Sequence, residues 1–142
     1  FPDRAAALLD FLDSPLYAAW VKEGIFVETS TSNYQMVGFE SILRHRRIRF
    51  TSYSFEWTPE MLRDAGLLTL RLNQELLEQD ATLQDATPAN VLFDGARPIF
   101  VDAGSIVNLN RRFLWRPYQQ FCQPADRREM AAVVPTAPGR RS

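Results

Sequence analysis

The chain has 142 residues, 46% hydrophobic and 12% aromatic, enough to bury one core and too few for two independent domains. Its 16 basic and 17 acidic residues leave a formal charge of −1, so no global field drives it onto nucleic acid or acidic lipid, and any such contact is local. One cysteine, Cys122, excludes an internal disulfide framework and a thiolate zinc cluster, and neither a membrane-length apolar run nor a signal-peptide pattern is present. The expectation is a cytoplasmic domain with no membrane and no nucleic acid as partner; the start at Phe1 rather than Met is what a trimmed portion of a longer product would show.

In chain order, Ala5, Ala6, Leu8, Leu9, Phe11 and Leu12 fall at helical spacing and predict a helix over Arg4 to Asp13. Ser14 and Pro15 restart a second helix through Tyr17, Trp20 and Val21, and Gly24 stops it. The β-branched and aromatic runs Ile25 to Thr29 and Ile48 to Tyr53 predict two strands, with the arginine-rich segment Ser41 to Arg49 joining them. Thr58 as N-cap and Pro59 at the first helical position open the clearest helix, whose apolar face runs from Met61 and Leu62 through Leu76 and Leu77 and ends near Asp80. A polar loop, Thr82 to Ala89, precedes Val91-Leu92-Phe93 and Ile99-Phe100-Val101, which flank Asp94-Gly95 as a β-hairpin. Trp115 to Phe121 predicts a last short helix, so one domain is expected over 1–132 with a flexible tail over 133–142.

The hairpin matters for its open end. Pairing centred near Ala96 makes Asn90 and Asp102 cross-strand neighbours, with Cα atoms about 5 Å apart. An amide oxygen and a carboxylate at that separation can share a hard cation such as Mg2+, which takes oxygen ligands and keeps phosphates or waters in its other positions. Asp85, five residues before Asn90, can reach the same mouth as a base for a substrate hydroxyl or as an orienting acceptor. The local alternative makes Asp85 and Asn90 turn residues, Asp102 a strand-end cap and Asp94-Gly95 an ordinary hairpin tip.

Asp85-Ala86-Thr87-Pro88-Ala89-Asn90 followed by Val101-Asp102-Ala103-Gly104 resembles the catalytic loop and metal-binding Asp-x-Gly of protein kinases and aminoglycoside kinases. The resemblance implies an α+β, reduced protein-kinase-like (aminoglycoside-kinase-like) fold with a long central helix and a catalytic-loop β-hairpin. Asp85 is then the catalytic residue, Asn90 and Asp102 hold Mg2+, and an ATP-like nucleotide is the cofactor. The chain departs from the kinase pattern in having no Gly-x-Gly-x-x-Gly loop, in carrying Leu83 and Gln84 before Asp85, and in having Lys22 as its only lysine. Arg46 and Arg47 are the candidate phosphate contacts, since a guanidinium fork binds phosphate bidentately; a solvated basic face is the alternative. Glu56, beside Trp57, resembles the hinge where a nucleotide base meets backbone, with capping of the following helix as its alternative. His45 lies in the arginine run, where surface or phosphate contact is expected, and Cys122 is expected to be a small buried residue.

A longer series carries a second resemblance. Ile48-Arg49-Phe50-Thr51-Ser52-Tyr53-Ser54-Phe55-Glu56-Trp57 is followed by Met61-Leu62-Arg63-Asp64-Ala65 and the Leu83 to Phe93 loop, then by Arg97-Pro98-Ile99-Phe100-Val101-Asp102 with Ser105, and by Trp115 to Cys122. In that order these resemble the N-terminal region of bacterial class I S-adenosylmethionine-dependent methyltransferases, including rhizobial nodulation-protein-related members. The resemblance covers Arg46 to Cys122 and implies a kinase-like region serving a methyltransferase domain in cis or in trans. The chain departs from that family at Gln84, where lysine is usual, and at Gln123-Pro124. No strand leads into a Gly-rich methyl-donor loop, so S-adenosylmethionine is assigned to no residue here. Two functions follow: a phosphotransferase, or a non-catalytic pseudokinase-type accessory module; a homo-oligomer would be one way to complete so short a core.

Overall fold

The computed structural model describes residues 2–39 and 41–109. The helix expected over Trp115 to Phe121, Cys122 and the tail over 133–142 lie outside them. The chain opens with α1 (Pro2–Leu12) and α2 (Pro15–Glu23). Ser14 Oγ accepts from Tyr17 N at 3.2 Å, and Gly24, left-handed at φ 78°, closes α2 by donating its N–H to the carbonyls of Trp20 and Val21.

The first strand expectation is displaced. Ile25 to Thr29 is not one strand: Phe26 makes an isolated parallel bridge with Phe100, and the ladder begins only at Thr29, where β1 (Thr29–Thr31) pairs antiparallel with β2 (Leu43–His45). The second, Ile48 to Tyr53, forms no strand. That run leads into a 3-10 turn, Ser54–Glu56, whose capping box closes on Tyr53 N through Glu56 Oε2 at 2.8 Å. Its aromatic residues Phe50 and Tyr53 are exposed, and without a neighbouring edge to supply backbone partners, β propensity has nothing to act on.

Thr58 caps α3 (Pro59–Leu77) as its sequence demands, with Thr58 Oγ1 accepting from Met61 N. The chain reverses at Asp80, the one described non-glycine residue with positive φ, 54°. The following segment corrects a further expectation, for Thr82 and Leu83 belong to β3 (Ala81–Leu83) rather than to a polar loop. β3 pairs antiparallel with β6 (Ile106–Asn108), a partner more than twenty residues away in sequence. Between them stands the expected hairpin, β4 (Val91–Asp94) and β5 (Arg97–Phe100), turned by Gly95 and Ala96. The result is a small α+β domain with three two-stranded sheets among the described residues.

One core joins these elements. Ala65, Leu68, Leu72 and Leu76 form the buried face of α3 against β3 and β5, and α1 packs on β6. At the other end Phe26 is the hub of an aromatic cluster, with ring centroids within 5.9 Å of Phe11, Tyr17, Trp20 and Phe100. Trp20 Nε1 donates to Glu75 Oε2 at 2.6 Å, and Arg71 bridges Glu75 to Glu23, so a polar seam fastens α2 to α3 beside the aromatic cluster.

Candidate functional site

The site assembles where the β3–β6 and β4–β5 pairs meet. Two hydrogen bonds from β3 converge on one buried oxygen of α3: Asn73 Oδ1 accepts from Thr82 Oγ1 at 2.9 Å and from Leu83 N at 3.0 Å. Gln84 N then donates to the carbonyl of Ser105 at 2.6 Å, and the chain leaves the ladder with Asp85, which is half-buried.

A 3-10 turn, Pro88–Asn90, brings Asn90 back toward Asp85, with Asn90 N on the carbonyl of Thr87 at 3.0 Å. The Asn90 carboxamide donates from Nδ2 to the carbonyl of Asp85 at 3.2 Å. A carbonyl can only accept, so chemistry fixes which end of the amide faces it and leaves Oδ1 on the other side. There Oδ1 has the Thr87 hydroxyl at 3.4 Å, a long contact.

Asp102 ends the hairpin and caps a second 3-10 turn, Ala103–Ser105. Its Oδ1 accepts from Gly104 N at 3.0 Å, and its carbonyl accepts from Ser105 N at 3.3 Å and Ser105 Oγ at 2.9 Å. A Cβ on residue 104 would stand 3.2 Å from that Oδ1, so glycine lets the backbone close under the carboxylate.

The hairpin register differs from expectation by one residue. Val91 faces Phe100 and Asp94 faces Arg97, and Val101 N donates to the carbonyl of Asn90 at 2.9 Å. Asn90 therefore stands opposite Val101, and Asp102 lies one residue further along, past the end of the ladder. The cause is the turn: Gly95, at φ 64°, opens a two-residue loop, so the hairpin axis falls between Gly95 and Ala96 rather than on Ala96.

Asp85 and Asn90 are thus in direct contact, and Asp102 follows the residue bonded to Asn90. The oxygen donors suit a hard cation. Asn90 Nδ2 is committed to the Asp85 carbonyl, Asn90 Oδ1 accepts only the long Thr87 contact, and Asp102 Oδ1 is held by Gly104, so the oxygens that could take a cation are Asn90 Oδ1 and Asp102 Oδ2. Among the described residues no group of three or more His, Cys, Asp or Glu could hold a metal ion.

The other candidates stand elsewhere. Arg46 donates from both terminal guanidinium nitrogens to Asp94 Oδ2 at 3.3 Å, at the hairpin tip. Four residues of strand separate that tip from Asn90, about 13 Å at 3.3 Å per residue. Arg47 is exposed, and Glu56 is engaged in its own capping box. His45 Nδ1 lies 2.9 Å from Thr29 Oγ1 on the β1–β2 pair.

Asn73 and Ser105 hold the two loops, and neither was assigned a role from sequence. A signal for Asn73 exists: Ala65, Thr69 and Asn73 recur at every fourth residue on a buried stripe of α3, where a carboxamide requires a partner.

No family model and no solved structure matches the chain. Among curated proteins it is similar to the nodulation protein NoeA of Rhizobium meliloti (strain 1021), at 39% identity over 82 residues. The match takes in 58% of this chain, which spans about 17% of the length of that relative.

Proposed function

We propose that this nodulation-protein-related chain is a kinase-like domain whose mouth, formed by Asp85, Asn90 and Asp102, binds a divalent cation and the phosphates of an ATP-like nucleotide. The observation that carries the reading is the Asn90 carboxamide. Its Nδ2 bond to the Asp85 carbonyl joins the two residues of the catalytic-loop pattern and turns Oδ1 away from that carbonyl. Asn90 and Asp102 would hold Mg2+, which, when bound, would offset the negative charge of the phosphates. Asp85 would accept or orient the proton of an acceptor hydroxyl. Association with a methyltransferase domain, in cis or in trans, belongs to the same proposal; the ordered motif series from Arg46 to Cys122 supports it.

A second reading, a pseudokinase-type accessory module that keeps the pocket without catalysis, is favoured by one observation: Arg46, a candidate phosphate contact, is paired with Asp94 at the far end of the hairpin. Calorimetry of nucleotide binding with and without Mg2+, repeated on Asp102→Ala, tests the proposal. Binding should require Mg2+ and weaken at least tenfold in the variant. Binding that ignores both would reduce the constellation to turn chemistry, and Mg2+-dependent binding without phosphoryl release would select the accessory module.

A further inference from the structure

We infer that the β1–β2 hairpin is an attachment arm for an anionic phospholipid surface, with an apolar tip that enters the headgroup region and arginines on its outgoing limb that meet the lipid phosphates. The foot of the arm is fixed. Tyr17 Oη donates to the Thr29 carbonyl at 2.8 Å and accepts from Thr29 N at 2.6 Å, and Arg46 reaches Asp94 from just past β2. Pairing continues beyond β1 and β2 to Ser32 N, which donates to the carbonyl of Ile42 at 2.8 Å. The chain then reverses at Met36–Phe39, where Phe39 N donates to the Met36 carbonyl at 3.1 Å and Gly38, at φ 89°, takes the third position that such a turn reserves for glycine.

The turn displays apolar side chains. Tyr34, Met36, Val37 and Phe39 are 82%, 58%, 101% and 65% exposed and belong neither to the core nor to the residues packed against it. Folding gains nothing from them, and turn tips are ordinarily built from Asn, Asp, Ser, Gly and Pro. No charged residue occurs from Thr29 to Phe39. Positive charge gathers on the limb that follows: Thr29 to Arg49 carries four arginines against one acid, Glu40, whereas the rest of the chain holds twelve basic and sixteen acidic residues. Arg46 is committed to Asp94, while Arg44, Arg47 and Arg49 are exposed. Arg44 stands opposite Ser30, two residues beyond the Ile42 that closes the loop.

An apolar protrusion on a cationic limb fits an anionic bilayer best. Lipid accepts a protruding side chain without a matching pocket, buries apolar groups at the headgroup boundary and attracts arginine. A protein partner would need a pocket shaped to the fully exposed Val37, and single-stranded RNA would draw on a platform of aromatic faces, which Met36 and Val37 do not supply. No helix among the described residues is long and apolar enough to cross a membrane, and attachment to its surface needs none.

The full chain would be sedimented with vesicles of phosphatidylcholine alone and of phosphatidylcholine mixed with phosphatidylglycerol, at low and high salt. Two variants accompany it: Met36→Ser with Val37→Ser at the tip, and Arg44→Gln with Arg49→Gln on the limb. The expected result is binding to the mixed vesicles only, weakened by salt. Each double variant should bind about fivefold more weakly or less, with an unchanged urea midpoint because all four side chains are exposed. Val37→Asn and Arg44→Gln, made singly, repeat the test where a double variant has a lower midpoint. The inference is overturned if the unsubstituted chain stays in solution with both vesicles, which leaves the tip to a protein partner, or if it binds the two vesicles alike. It is also overturned if the tip variant binds as tightly as the unsubstituted chain, since the arginines alone then account for adsorption, or if the limb variant does. Displacement from the vesicles by a single-stranded RNA oligonucleotide that binds the tip variant undiminished would make the limb a nucleic-acid surface instead.

Discussion

At the scale of single residues, the Asn90 amide has two chemically unlike ends, and the site uses the difference. Nδ2 faces a carbonyl, so Asn90→Asp would set a carboxylate oxygen against the Asp85 carbonyl oxygen while barely changing shape. The lost bond and the facing acceptors should cost about 1–3 kcal/mol at pH 7, read as a lower urea midpoint. Once protonated, the introduced carboxyl can donate where Nδ2 did. Its folded-state pKa is therefore raised, and the deficit relative to the unsubstituted chain should shrink as pH falls through the carboxylate range and grow as it rises. A deficit that does not change with pH would mean that Asn90 is not held by that carbonyl. The closeness of Asp85 and Asn90 was legible because the two lie five residues apart in one stretch of chain. Asn73 was not, because a carboxamide on a leucine-rich helix declares its partner only when β3 arrives from beyond the turn at Asp80.

Between elements, the α2–α3 seam depends on Arg71, whose guanidinium meets Glu75 at 2.8 Å and Glu23 at 2.7 Å. The hydrogen bond from Arg71 holds the Glu23 carboxyl below its ordinary value of 4.5, against a smaller opposing effect of burial. A lowered carboxylate contributes stability that is present above the unfolded-state pKa and is lost as pH falls through the folded-state value. Both partners are nearly half exposed, so water and salt screen the pair. Arg71→Ala should therefore cost about 1 kcal/mol or less at neutral pH, and nothing further once Glu23 is protonated. Urea denaturation of both proteins at pH 7 and pH 3 checks this: equal losses at the two values would show that packing of the arginine stem, not its charge, does the holding. Helix ends were legible at this scale because Ser14, Gly24 and Thr58 act within a few residues of themselves. The hairpin was legible as an element and not in its register, since a one-residue shift of its axis changes every pair yet leaves the apolar runs alike.

At the scale of the whole molecule, Phe26 links α1, α2 and the end of the hairpin through its four ring contacts and its bridge to Phe100. Phe26→Ala should cost about 3–5 kcal/mol, a large part of the roughly 5–15 kcal/mol that holds a domain together. Phe50→Ala, at an aromatic residue that is 83% exposed, should stay within about 0.5 kcal/mol. Urea midpoints of the two variants make the comparison, and similar losses would show that the aromatic cluster is not the core of the fold. The sequence alone determined the three helices of the described residues, the caps at Ser14, Gly24 and Thr58, and the hairpin as an element, because each rests on neighbours a few residues apart. Only the tertiary structure decided the β1–β2 and β3–β6 pairings, the hairpin register, the capture of Arg46 by Asp94 and the hold of Asn73 on β3. Three-residue strands are too short to show a period, and a hydrogen bond between distant segments leaves no mark on either segment until the core has brought them together.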